Sequence, residues 1–118
     1  MLIQERHNHM RIKGIIVLIA LVFSSVALAT SGNQYELTIT NHRFEPAELT
    51  IPANTKVQLL VHNKDNSIEE FESDSLHREK IIGPNKSVII NIGPLPPGVY
   101  QFKGEFHEDT AQGRVVVK

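Results

Sequence analysis

The sequence predicts an all-β fold, a sandwich or a barrel of short strands. Apolar and polar residues alternate with a period of two across most of the chain after residue 33, which is typical of half-buried strands. Turn-forming segments separate these runs, as in β-sandwiches and β-barrels. No window offers about ten residues of helical periodicity with caps. The 118 residues contain no obvious internal repeat, so a single domain is expected.

Each predicted strand corresponds to one alternating run. In chain order, the apolar positions of these runs are Tyr35, Leu37 and Ile39; Leu49 and Ile51; Val57, Leu59 and Val61; Val88, Ile90 and Ile92; Tyr100 and Phe102; and Val115 and Val117. Turns rich in Pro, Asn and Gly lie between them, at residues 52–55, 63–66, 83–86 and 94–98. The charged segment Ser67–Ile82 has no clear period. We expect it to form a long loop with short strand pieces.

The first 29 residues have the pattern of a cleaved signal peptide. A basic start is followed by an apolar run that closes in V-A-L-A, which fits cleavage after Ala29. The run is about 15 residues long, short of the roughly 20 that span a bilayer, so an uncleaved anchor is the weaker alternative. Translation starts at Met1 or at Met10. The sequence therefore predicts a signal peptide over 1–29, an exported protein and a mature domain over 30–118.

Charge and composition exclude several classes of function. The mature chain loses Arg6, Arg11, Lys13 and Glu5 from a net charge of −1, which leaves −3 and no basic stripe for nucleic acid. The chain contains no cysteine, so neither a disulfide nor a thiolate ligand is available. It also lacks a G-x-S-x-G nucleophile motif, a phosphate-binding loop and a dinucleotide fingerprint.

Two segments of the mature chain resemble cupredoxins, which are small Greek-key copper-binding sandwiches. The first is F-E-P-A-E-L-T-I-P-A-N-T-K-V-Q-L-L-V-H-N-K-D, residues 44–65. The second is the terminal pattern of Gly98, Tyr100, Phe102, His107, Gly113, Val115 and Val117. The resemblance covers residues 34–118 and implies a cupredoxin-like Greek-key β-sandwich of about seven to eight strands.

The resemblance implies a metal position but not the usual ligands. The cysteine of the blue-copper pattern falls on Gly104, and the axial methionine falls on Gln112. Glu69 and Glu70 fill the neighbourhood of the first histidine, so His107 is the one strong ligand left. A trigonal blue-copper centre depends on its Cu–thiolate bond. That kind of centre is therefore excluded.

A sub-branch of this family, the EfeO-type domains of bacterial periplasmic iron-uptake systems, resembles the chain more closely. Its E-[WF]-E motif is matched by Glu70-Phe71-Glu72, and a further acidic element, R-E-K-I-I, contains Glu79. The resemblance implies a role in iron uptake, with an iron permease or another periplasmic iron-uptake component as partner. Oxidation of Fe(II) and hand-over of Fe(III) both remain open.

The residues themselves favour a hard metal ion. On an extended strand Glu70 and Glu72 lie on the same face, roughly 7 Å apart, and repel each other unless a cation neutralises them. Glu105, His107 and Asp109 alternate in a loop that this fold places at the same end. Carboxylates with one imidazole suit iron or type 2 copper. The predicted ligands are Glu70, Glu72, Glu79, Glu105, His107 and Asp109.

Simpler interpretations of the same residues stay open. Arg78 and Lys80 are placed to pair with the glutamates in place of a metal, and His107 is open to a purely structural role. His42 and His62 are expected to be surface residues, whereas His77 has the reach to approach the acidic cluster.

The first hypothesis is therefore a periplasmic protein that binds iron and/or copper through carboxylates and His107, associated with the membrane peripherally at most. The second is a type 2 copper-binding or electron-transfer protein. The third is a metal-free β-sandwich interaction module.

Overall fold

The computed structural model describes residues 32–118, which form nine β-strands and one 3-10 turn. The strands are β1 (Gln34–Thr40), β2 (Arg43–Glu45), β3 (Glu48–Ile51), β4 (Val57–Asn63), β5 (Glu69–Ser73), β6 (Arg78–Ile82), β7 (Ser87–Ile92), β8 (Gly98–Gly104) and β9 (Gln112–Val117), with the 3-10 turn at Glu105–His107. The predicted signal peptide lies outside the described residues. Within them, no helix is long and apolar enough to cross a membrane.

The strands form two sheets that pack face to face. One sheet has the order β2-β1-β4-β7, and the other has the order β3-β9-β8-β5-β6. The β1–β4 and β3–β9 pairs are parallel, and the other pairs are antiparallel. The predicted all-β Greek-key sandwich is confirmed. Nine strands form where seven to eight were expected, because residues 43–45 pair separately with β1.

The core consists of the inward faces of both sheets, where the alternating positions predicted from the sequence are mostly buried. Three aromatic rings lie at one end of it. The ring centroids of Phe71 and Phe102 are 5.0 Å apart, and Phe44 packs edge-on against Phe102 at 4.9 Å. Because these rings come from β5, β8 and β2, they join the two sheets beside the loops that follow β4 and β8. Each such pair contributes roughly 0.5–1.5 kcal/mol beyond area burial.

The segment Ser67–Ile82 is more regular than the sequence suggested. It forms the hairpin of β5 and β6 at one edge of the five-stranded sheet. The period-two alternation of β5 was not apparent in the sequence because its inward face is partly polar. Glu69 and Ser73 are buried on either side of Phe71, so Phe71 is the one apolar residue on that face of β5.

A buried asparagine ties the hairpin to the other sheet. Asn63, at the end of β4, is 2% exposed. Its Nδ2 group donates to the carbonyl oxygens of Ser67, Ile82 and Gly83 at 2.8, 3.1 and 3.2 Å. Its Oδ1 atom accepts the backbone N–H of Asp65 at 3.0 Å. The amide thus satisfies backbone groups at both ends of the hairpin.

We predict that Asn63→Ala lowers the free energy of unfolding by roughly 2–3 kcal/mol, because buried carbonyl oxygens lose their donor. Urea unfolding followed by circular dichroism measures the change. Asn66→Ala is the control, since Asn66 makes only an exposed contact with Asn85, and it should change stability by less than about 0.5 kcal/mol. Equal effects of the two substitutions would contradict the role assigned to Asn63.

Candidate metal centre

Three glutamates meet on the outer face of the β5–β6 hairpin. Glu72 pairs directly with Glu79 across the two antiparallel strands, and Glu70 lies two residues earlier on the same face. Each offers a carboxylate oxygen, and these three oxygens all lie within 4.8 Å of one another. Glu70 and Glu72 are half-buried, and Glu79 is exposed. Strand register therefore brings together three of the predicted ligands.

A fourth carboxylate joins them from the turn after β8. Glu105 begins the 3-10 turn, and its carboxyl group adjoins that of Glu72, so the two share a hydrogen bond when Glu72 is protonated. The Oε2 atom of Glu105 is buried and makes no hydrogen bond. The Nζ atom of Lys103 lies 3.5 Å from it. Glu70, Glu72, Glu79 and Glu105 are called the carboxylate cluster below.

Proximity changes the protonation of this cluster. The hydrogen bond with Glu105, partial burial and the charges of Glu105 and Glu79 together raise the pKa of Glu72 to about 7, although Lys103 opposes the change. The same hydrogen bond and the charge of Lys103 lower the pKa of Glu105. Close to neutral pH, the two carboxyl groups thus share a proton that a bound cation would displace.

The basic residues expected to neutralise the glutamates are directed elsewhere. Arg78 donates from Nε to the carbonyl oxygen of Asn91 at 2.9 Å and from Nη1 to that of His77 at 2.9 Å. Within residues 32–118, neither Arg78 nor Lys80 comes within 4.0 Å of a carboxylate oxygen of the cluster. Lys103 does approach it, but its hydrogen bond goes to Glu108. The cluster therefore keeps an excess of negative charge.

His107 lies on the inner side of β5, away from the position expected of a ligand in this cluster. Its Nδ1 atom is 2.5 Å from Oε2 of Glu69. Glu69 is 1% exposed, and its Oε1 atom accepts the backbone N–H groups of Phe106 and Glu70, both at 3.0 Å. We call this hydrogen-bonded pair the Glu69–His107 lock.

Gly104 provides the space that the Glu69 carboxylate occupies. A Cβ atom added at Gly104 would lie 2.7 Å from Cδ of Glu69 and 2.7 Å from Cβ of Ala111. Any side chain at position 104 would therefore collide with the carboxylate. Glycine is needed here because of this close approach.

His42 covers the other side of His107. The two imidazole rings stack with centroids 3.5 Å apart and an interplanar angle of 11°. His42 lies in the turn between β1 and β2 with φ of 58°, and Asp65 accepts its backbone N–H at 2.9 Å. The Nε2 atom of His42 contacts Oγ of Ser67 at 3.2 Å. His42 is thus in a turn, as expected, but its ring packs against the site.

The remaining candidates are not among the residues whose ligand atoms converge, although His77 lines a surface pocket with Glu72 and Glu79. Asp109 is exposed at the surface beyond the 3-10 turn. His77 is exposed in the β5–β6 turn, and His62 contacts Ser87 at 2.6 Å. The sequence interpretation did not assign a role to Glu69. The alternation of β5 does contain the signal, because Glu69 must share the inward face of Phe71.

The structure thus defines a class of protein: a small two-sheet β-sandwich with an acidic candidate metal site beside the loop that follows β8. The chain belongs to the cupredoxin-like domain family, whose model matches residues 13–117. An uncharacterised protein of Rickettsia prowazekii (strain Madrid E) is 42% identical over 116 residues, covering 89% of this chain and 93% of the relative.

Solved structures agree on the fold. Auracyanin A, a blue copper protein from Chloroflexus aurantiacus, has a TM-score of 0.63 at 14% identity and covers 72% of this chain and 98% of its own. The metal-binding domain of the Cu(I)-exporting P-type ATPase of Streptococcus pneumoniae D39 has a TM-score of 0.64 at 14% identity. The match covers 76% of this chain and 91% of that domain. Amicyanin from Paracoccus versutus has a TM-score of 0.59 at 15% identity, and the match covers 78% of this chain and 88% of amicyanin. At such low identity the likeness establishes the fold alone.

Proteins of this fold commonly bind copper, but the residues at the expected copper position do not fit a blue-copper centre. The thiolate would project from position 104, where Gly104 stands and where the Glu69 carboxylate fills the space. Nδ1 of His107 is already hydrogen-bonded to that carboxylate. The donors that face outward nearby are carboxylate oxygens, which suit hard cations better than Cu(I).

Substitution at Gly104 tests this packing. We predict that Gly104→Ala lowers the free energy of unfolding by about 1–3 kcal/mol, because the new methyl group overpacks Glu69 and Ala111. Gly98→Ala is the control on the same strand, since its Cβ would meet nothing closer than 3.4 Å. Chemical unfolding of both variants measures the difference. A Gly104→Ala protein as stable as the control would show that the space is not filled.

The raised pKa of Glu72 predicts a pH dependence of stability in the metal-free protein. Its pKa is 4.5 ordinarily and about 7 in the fold, so between these values the folded state binds more protons than the unfolded state. Stability therefore falls as pH rises from about 4.5 to about 7. Thermal unfolding in EDTA across this range measures the slope.

Glu72→Gln should remove most of that slope, because the amide does not titrate. Glu45→Gln, which changes an exposed carboxylate on β2, should leave the slope as it is. The lowered pKa of Glu105 acts in the opposite direction and below its ordinary value of 4.5, so it does not obscure this window. A wild-type protein with no slope between pH 4.5 and 7 would refute the shared proton.

Proposed function

We propose that this is an exported cupredoxin-like protein that binds a hard metal ion, iron in the first place, at the carboxylate cluster. The observation that supports this most strongly is the convergence of the Glu70, Glu72 and Glu79 oxygens within 4.8 Å of one another. Glu105, whose carboxyl group adjoins that of Glu72 and whose Oε2 atom is buried without a hydrogen-bond partner, adds a fourth carboxylate next to them.

The chemistry of the donors favours iron or another cation that prefers oxygen. Four carboxylates, one shared proton and one nearby lysine leave a net negative site, which a divalent or trivalent cation would neutralise. Fe(III) and Fe(II) bind carboxylate oxygens readily, whereas Cu(I) prefers sulfur. A cation at this site would also release the proton held between Glu72 and Glu105.

A role in iron uptake fits the resemblance of Glu70-Phe71-Glu72 to the motif of EfeO-type periplasmic domains. The cluster lies on an outer sheet face next to the exposed strand edge of β6, so an ion held there is open to exchange with a partner. We propose hand-over of Fe(III) to a permease or another periplasmic component. Oxidation of Fe(II) is the variant of this proposal, and it requires an external electron acceptor, since each iron gives up one electron.

Copper is the second candidate, because the similar structures include a blue copper protein and a Cu(I)-exporting ATPase domain. Without cysteine, bound Cu(II) would form a type 2 site with oxygen donors and weak visible bands. An electron-transfer role would then require reversible reduction at this site. A metal-free interaction module is the remaining alternative.

Metal titration tests the proposal. The exported and processed protein is titrated with Fe(III)-citrate, Fe(II) under argon, and Cu(II), by calorimetry at pH 7.5. We expect Fe(III) binding at a ratio of one ion per chain, and a loss of at least about tenfold in affinity in the Glu70→Gln/Glu72→Gln double variant. Affinity should also rise from pH 6 to pH 8, because the proton on Glu72 competes with the metal.

The matched control is Glu36→Gln/Glu45→Gln, which changes two exposed carboxylates of the four-stranded sheet and should leave affinity unchanged. Tighter binding of Cu(II) than of Fe(III) would favour the second candidate. If no metal bound, or if both double variants lost affinity equally, the carboxylate cluster would not be a metal site.

A further inference from the structure

The position at which this fold commonly binds copper contains the Glu69–His107 lock. We infer that the lock does not bind metal and instead positions Glu105 in the carboxylate cluster. Glu69 and His107 are then positioning residues, and the inward face of β5 controls the site on its outward face. The positioning part of this inference rests on the proposed function, whereas the lock itself does not.

The hydrogen bonds of Glu69 leave little for a metal to bind. The carboxylate is 1% exposed and faces donors on both oxygens. Two backbone N–H groups donate to Oε1, and Nδ1 of His107 donates to Oε2. A carboxylate with this many charge-assisted hydrogen bonds is already stabilised inside the protein. Drawing it toward a metal would leave the N–H of Phe106 without a partner.

The stacked histidines cannot together chelate one ion in this arrangement. The lone pair of an imidazole nitrogen lies in the plane of its ring. Since the rings of His42 and His107 are 11° from parallel and 3.5 Å apart, their lone pairs run side by side and do not converge. His42 therefore covers His107 as a packing partner.

The same hydrogen bonds hold the 3-10 turn against β5. Oε1 of Glu69 accepts the N–H of Phe106, and Oε2 accepts the ring N–H of His107, so one side chain holds two consecutive residues of the turn. Glu105 directly precedes them and meets Glu72, which lies three residues after Glu69 on β5. Residues on both faces of one short strand thereby set the distance between Glu72 and Glu105.

The lock also has a consequence for metal selectivity. It removes the imidazole nitrogen and the space that a softer ion would need at the inward position, and leaves the oxygen donors of the outward cluster. Any Cu(II) bound by this protein should therefore be coordinated without His107.

Pulsed EPR tests whether His107 is a metal ligand, on the exported protein loaded with one equivalent of Cu(II). We expect the same spectrum from the wild type and from His107→Ala, with no nitrogen modulation that depends on His107. Imidazole modulation in the wild type that disappears in His107→Ala would overturn the inference, because His107 would then be a ligand.

Amide hydrogen exchange tests the lock in the metal-free protein. Glu69→Ala should accelerate exchange at Phe106 by at least tenfold, because that N–H loses its acceptor. Ser73→Ala is the control. Ser73 is another buried polar residue on the inward face of β5, at the other end of the strand from Glu69, and its hydroxyl donates to the carbonyl oxygen of Gln101. This substitution should leave the exchange rate at Phe106 unchanged. Unchanged exchange at Phe106 in Glu69→Ala would overturn the lock, whatever metal the protein binds.

A double-mutant cycle on Fe(III) affinity tests positioning. Glu69→Ala should weaken binding about tenfold in the wild-type background and by less than twofold in a Glu105→Gln background, where there is no carboxylate left to position. Ser73→Ala should have no effect in either background. Equal losses in both backgrounds would overturn positioning through Glu105. If the wild type bound no iron, the proposed function and the positioning role would both fail, and the exchange result would still decide the lock.

Discussion

The buried carboxylate of Glu69 is the interaction on which the rest of the site depends. Burying an unpaired carboxylate is costly, and the cost is met only when hydrogen bonds satisfy both oxygens. Here the donors come from β5 itself, from the backbone of the 3-10 turn and from the ring of His107. One charge thereby joins two segments that are far apart in sequence, and the stacking of His42 adds a third.

The sandwich illustrates how a fold can be kept while the chemistry of its site changes. The sheet order is that of a fold shared with copper proteins, and the three-ring cluster of Phe44, Phe71 and Phe102 joins the two sheets. Glycine replaces the thiolate residue, and glutamate takes the place near the first histidine. The outward face of β5 and the start of the turn after β8 then offer oxygen donors. The fold alone would suggest copper, whereas carboxylate oxygens in general suit harder ions.

Much of this arrangement could be predicted from local pattern. Period-two alternation predicted the all-β sandwich, and the acidic residues on one face of β5 predicted that Glu70 and Glu72 would lie together. The convergence of Glu79 and Glu105 with them was expected from family resemblance and not from spacing. Two predicted ligands do not join the carboxylate cluster. His107 faces inward and contacts Glu69, and Asp109 is exposed at the end of the loop. The inward direction of Glu69 was readable from Phe71, but charge on both faces of the strand concealed it.

The sequence by itself determined that the chain is built of short alternating strands, that it has no thiolate and that its acidic residues are concentrated in two segments. Only the tertiary structure decided which of them meet. Glu69 and His107 are 38 residues apart, and their contact depends on the register of β5 against β8 and on the turn that follows. A local pattern encodes which face a residue occupies. It does not encode which distant residue that face meets, because strand register and sheet packing are set by the whole core.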